Sequence, residues 1–194
     1  MGISKKNSTY NTKIKRVFNI VFDKKRGNNM DYSLNSIEEC FQILEKVKYM
    51  CNEENNIEVF DTALYKISQE GDMSVIERLC TTVLNDEIEE PLSAMHDILE
   101  TIFYISEKYD QMEQGIYIFL SNGYKIIKNA PFGFKVFSMK ILNTYSSDKY
   151  YISAIKRLDK ENLKILLNTL YDIEKDDKEG YYKEHIDFII KSIK

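Results

Sequence analysis

The chain has two histidines, His96 and His185, 89 positions apart. His96 stands four residues before Glu100, a spacing that puts both side chains on one face of a helix. Such a pair could serve acid–base chemistry or supply two metal ligands, but no further ligands are evident. The blander reading, a pair at a helix surface or core edge, is preferred. Cys40, Cys51 and Cys80 have no short paired spacing and no histidine at a suggestive position. A zinc ribbon or a disulfide framework needs more, so the cysteines read as small buried hydrophobes. Gly115, Gly123 and Gly133 are too widely spaced for a phosphate-cradling loop. With no catalytic constellation, metal cluster or cofactor motif, the expectation is a protein that is not an enzyme.

Carboxylates are the more promising feature, because they are concentrated. Residues 1–26 carry a net +7, 27–52 carry −2, 53–113 carry −13 and 114–194 carry +4, within a whole-chain charge of −4. That modest total argues against general nucleic-acid coating, whereas the −13 block repels itself and would be relieved by a cationic partner. Its densest stretch is Asn85-Asp86-Glu87-Ile88-Glu89-Glu90-Pro91. Two readings stay open for it. One is simply a good helix start, since carboxylates suit a helix N-terminus. The other is a prong of negative potential, Asp86, Glu87, Glu89 and Glu90, that steers and orients a Lys- or Arg-rich protein. Tyr145, Tyr150 and Tyr151 cluster around a later connection and are candidate interface rings, which bury area while keeping a hydroxyl bonded. Phe132 and Phe134 follow Pro131, and the phenylalanines read mainly as core.

These groups must be positioned by helices. The chain is 194 residues, 43% hydrophobic, with only 2 Pro and 7 Gly, too few for the turns of a β-sandwich or barrel. Apolar residues recur at three- and four-residue steps nearly throughout. Ser36-Ile37-Glu38-Glu39 and Ser74-Val75-Ile76-Glu77 read as capping boxes, Gly71 as a stop and Pro91 as a first-turn proline. Asp110 with Glu113 predicts a start for a helix running through Ile127 to a break at Ala130-Pro131. A short helix with Phe134, Phe137, Ile141 and Leu142 ends near Asn143. Asp148 and Asp159 read as caps for the next two helices, and a last helix carries Tyr182, Ile186, Ile189, Ile190 and Ile193.

The expected fold is therefore all-α, antiparallel hairpins stacked in a HEAT-like array, with a compact helical bundle as the alternative. Residues 1–29 form a basic N-terminal appendage and residues 30–194 a single helical domain. No apolar run is long enough to span a membrane and no cleavable leader is evident, which predicts a cytoplasmic protein.

Several short motifs occur in a recognisable order: Ile76-Glu77-Arg78-Leu79-Cys80, Asn85-Asp86-Glu87, Met95-His96-Asp97-Ile98-Leu99-Glu100, then Ala130-Pro131 and Ile141-Leu142-Asn143. Together they resemble the immunity protein 30 family of bacterial polymorphic toxin systems over approximately residues 57–175. The resemblance departs at Phe132-Gly133-Phe134, which replaces a charged, Trp-containing stretch. It implies a small protein that binds and neutralises a cognate toxin domain; with the −13 segment and the missing active site, the expected mode is stoichiometric occlusion, with no cofactor. A basic toxin channel would fit a nuclease. The alternative function is a helical-repeat scaffold or regulatory adaptor that binds another basic protein.

Overall fold

At residue 36 a serine side chain supplies the partner that a helix start lacks. Ser36 Oγ accepts the Glu39 amide at 3.2 Å, and α1 follows over Ile37–Val47. The Glu39 carboxylate reaches back to the Asn35 amide at 2.6 Å, one residue further than in a reciprocal capping box. The computed structural model describes residues 34–48, 54–87, 91–144 and 148–193, side chains of 54–56, 91–93 and 148 excepted. The basic appendage expected over 1–29 lies outside them.

Beyond α1, the described residues form α2 (Glu54–Glu70), α3 (Val75–Arg78), which continues as a π-helical turn over Leu79–Val83, then α4 (Pro91–Lys108) and α5 (Met112–Ser121). They are followed by α6 (Gly123–Asn129), α7 (Pro131–Leu142), α8 (Asp148–Ile155), α9 (Lys160–Asp176) and α10 (Lys183–Ser192). No strand occurs among the described residues. The chain is all-α, as the periodicity requires.

Three helix boundaries differ from the sequence reading, each for a local reason. Ser74 makes no capping bond at α3; its amide and hydroxyl both donate to Asp72 Oδ1, at 2.8 and 2.6 Å, so the aspartate organises the turn. Asp110 closes α4 rather than opening α5: its φ of 55° is left-handed, and the Gln111 amide returns to Ser106 O at 2.8 Å. The helix expected to run to Ile127 breaks at Asn122, whose Nδ2 donates to Ile118 O at 2.9 Å. Beyond the break, the buried Asn162 of α9 accepts the Tyr124 amide at 3.1 Å and so fixes the start of α6. Asn162 is itself held by Asp159, which accepts its amide at 2.8 Å and its Nδ2 at 3.0 Å.

The core runs through the junction of α4, α5 and α7. Phe119 and Phe137 stack with centroids 3.7 Å apart, flanked by Phe103 at 5.0 Å from Phe137 and Phe134 at 5.6 Å from Phe119. Phe119, Phe134 and Phe137 are fully buried, and burying each stabilises the fold by about 1.5–3 kcal/mol. Helices α4 and α5 approach closely at Gly115, where a Cβ would meet Ser106 Oγ at 1.8 Å. Regular stacking of equal hairpins does not emerge. Helix lengths run from 4 to 18 residues, and α5 packs on α3, α4, α6, α8 and α9. That pattern is compact helical packing.

Candidate functional site

Buried polar groups hold the acidic turn. Asn85 is buried; its Nδ2 donates to Val83 O at 3.0 Å and Lys48 O at 3.4 Å, and its Oδ1 accepts the Glu87 amide at 3.1 Å. The Asp86 amide donates to Asn129 O at 2.9 Å. Its carboxylate accepts the amides of Phe132 at 2.6 Å and Gly133 at 3.0 Å, both in the first turn of α7. Ala130, at the N-cap of α7, has no side-chain acceptor, so a residue distant in sequence supplies the cap. Asp86 was expected on the partner surface. Its carboxylate is instead engaged within the fold, because α7 would otherwise start with unsatisfied donors.

The remaining candidates separate. Glu87 is exposed in the same turn. Glu89, Glu90 and Tyr145 lie outside the described residues. Tyr150 is half-buried on α8, with Lys149 Nζ 4.5 Å from its ring centroid. Tyr151, also expected at the interface, is completely buried, because it lies on the inward stripe of α8 with Ala154 and Ile155. Burial pushes its phenol well above the ordinary range, and its hydroxyl makes no hydrogen bond of sound geometry. Tyr151 is a core residue, not a docking ring.

Phe132 is one of the surface aromatics that sequence reasoning passed over. Phe134 is fully buried two residues later, and that step of about 200° round a helix turns Phe132 outward. Phe132 is 46% exposed and Ile127 36%. With Pro131 they form the apolar wall of a groove of about 370 Å³. The facing wall is charged: Asp172, Lys175 and Asp176 of α9, with Lys135 of α7 bonded to Asp176 at 2.5 Å. The signal in the sequence was the offset of Phe132 from the Phe134–Phe137–Ile141 stripe.

The acidic middle of the chain is partly neutralised from within. Glu77 pairs with Lys125 at 2.9 Å, Glu113 with Arg157 at 3.4 Å, and Glu100 with Lys140, all cations of the 114–194 segment. Arg78 binds Glu38 and Glu45 of α1 at 2.6 and 2.9 Å while covering the Phe41 ring. Each exposed pair contributes at most about 1 kcal/mol, but the three with cations of the 114–194 segment together lower the self-repulsion of the −13 block. Glu100 is thereby committed to Lys140. His96 is half-buried, and burial, then the Lys140 charge, lowers its pKa against the opposing pull of Glu100. No group of three or more His, Cys, Asp or Glu side chains placed to hold a metal ion occurs among the described residues. Cys40 and Cys80 are buried free thiols, and burial pushes Cys80 up to about 12.

No described helix is long and apolar enough to cross a membrane. No curated protein and no solved structure matches the chain. A family model does: that of immunity protein 30, over residues 46–151. The match begins before the motif-based limits of 57–175 and stops short of α9. It spans the acidic turn, all of α2 to α7 and the start of α8, which is more than half of the sequence. The chain belongs to the immunity protein 30 family.

Proposed function

We propose that this protein neutralises a cognate toxin domain in the cytoplasm by binding it one to one and covering its working surface, without turning anything over. Family membership over residues 46–151 is the observation that carries the reading. The chemistry of the acidic turn adds direction. Glu87 faces solvent there, Asp86 bolts the turn to α7, and Glu89 and Glu90 continue the negative run in sequence. A cationic toxin face, such as the phosphate-binding channel of a nuclease, would be steered to that turn. Affinity would then come from apolar anchors rather than rim charges, and Phe132 is the exposed ring nearest in bonding to the turn.

The test is co-expression with the toxin domain encoded beside this gene, co-purification, and stopped-flow association. Replacing Glu87, Glu89 and Glu90 by Gln should slow association about tenfold or more at low salt and flatten its salt dependence. Unchanged association kinetics would remove the steering role. If the neighbouring toxin does not bind at all and a housekeeping basic protein does, the scaffold or adaptor reading replaces this one.

A further inference from the structure

The groove beside Phe132 offers two walls that one kind of side chain satisfies together. On one side is the half-exposed Phe132 ring with Ile127; on the other is the exposed Asp172 carboxylate, which makes no ion pair among the described residues. Lys135 is tied to Asp176 at 2.5 Å, and Lys175, also exposed, lines the same wall as Asp172. A guanidinium stacks its flat face on an aromatic ring and donates from its edge to a carboxylate, and its aliphatic stem covers apolar surface. An ammonium, a compact and strongly hydrated charge, uses the ring less well.

We propose that this groove receives an arginine side chain of the toxin partner, laid between Phe132 and Asp172. The inference rests on the toxin-binding reading above and adds where the partner anchors and with what residue. The negative potential of Glu87 at the neighbouring turn favours a cation on approach. Asp86 acts as a positioning residue: by accepting the Phe132 and Gly133 amides at 2.6 and 3.0 Å it holds the ring side of the groove ready before the partner arrives.

Two measurements test this separately from the parent reading. First, the full-length ¹⁵N-labelled protein is titrated with acetyl-Gly-Arg-Gly-amide and with its lysine counterpart, following the amides of Phe132, Gly133 and Asp172. Saturable shifts confined to the groove are expected, with arginine bound about fivefold or more tighter than lysine. Phe132→Ala should abolish them and Asp172→Asn weaken them. Equal response to both peptides, or shifts scattered over the surface carboxylates, would overturn the proposal. Second, in the co-purified toxin complex, Phe132→Ala and Asp172→Asn should each raise the dissociation rate, and the uncharged exchange Phe132→Ala should leave the salt dependence of association unchanged. Asp86→Asn should raise dissociation only while Phe132 is present, which a double-mutant cycle reads directly. A complex of full affinity with both groove variants would sink the arginine anchor and leave toxin binding standing. Failure of the wild-type protein to bind any toxin would remove the parent reading, with the peptide titration still deciding the groove.

Discussion

Replacing Asp86 by Ala puts two effects in opposition, so the sign of the result is informative. The substitution removes one negative charge from a segment of net −13, which by self-repulsion alone would stabilise the fold. It also strips two first-turn amides of α7 of their acceptor, at 2.6 and 3.0 Å. Loss of a helix N-cap costs about 0.5–2 kcal/mol, and each hydrogen bond to a charged group contributes about 1.5–3 kcal/mol before water replaces part of it. Asp86 is half-exposed, so water recovers some of that loss, and a net destabilisation of about 2 kcal/mol is expected. For a domain of this size that corresponds to a Tm lower by about 4–8 °C. Asp86→Asn keeps one acceptor oxygen and should lose about half as much. Urea titration followed by circular dichroism measures it, with the midpoint falling and the slope unchanged. Glu87→Gln serves as the control, since it removes a charge from the same turn without removing a cap. An Asp86→Ala variant as stable as wild type, or more stable, would refute the capping role and restore Asp86 to the list of free surface charges.

Three further outcomes follow from the packing. Gly115→Ala drives a methyl to 1.8 Å from Ser106 Oγ and 2.7 Å from its Cβ, and should destabilise by about 1–3 kcal/mol in thermal unfolding, with Ser106→Gly as a second-site rescue. Hydrogen bonds from Asn162 hold the Asp159 carboxyl below its ordinary 3.8. Its contribution is therefore present above 3.8 and lost as the pH falls towards the lower folded value. The stability gap between wild type and Asp159→Ala should accordingly be full at neutral pH and close in acid, as read by denaturant titration across that range. Tyr151→Phe removes a buried hydroxyl that makes no sound hydrogen bond, so stability should hold or rise by up to about 1 kcal/mol, and toxin binding should be unchanged.

The helical class and most helix positions were legible because a 3.6-residue apolar stripe and its caps are local. Ser36, Gly71, Pro91 and Asp159 all do at their positions what the neighbouring residues predict. The misreadings lie where a tertiary partner outbids a local one. Asn122 breaks a helix whose stripe continues through it, and Asn162, far along the chain, secures the break. Asp86 looked like a surface charge because nothing near it in sequence reveals the unsatisfied amides of α7. Tyr151 is a different case: the local signal was present, since its spacing to Ala154 and Ile155 on the helix expected after Asp148 already put it on the inward stripe. The groove was invisible for the same reason as the role of Asp86, since Phe132 and Asp172 share it only through the packing of α7 on α9.

The π-helical turn at Leu79–Val83 sets a geometric condition on all of this. The Leu84 amide closes on Leu79 O, five residues back, so the segment holds a spare residue that an α-helix would not accommodate. One residue corresponds to about 100° of helical rotation. Removing any single residue between 79 and 83 would rewind the segment and swing Asn85, Asp86 and Glu87 off the start of α7. Chain length at this spot, more than side-chain identity, aims the turn: same-length exchanges among small apolar residues leave its heading intact, and a one-residue deletion does not.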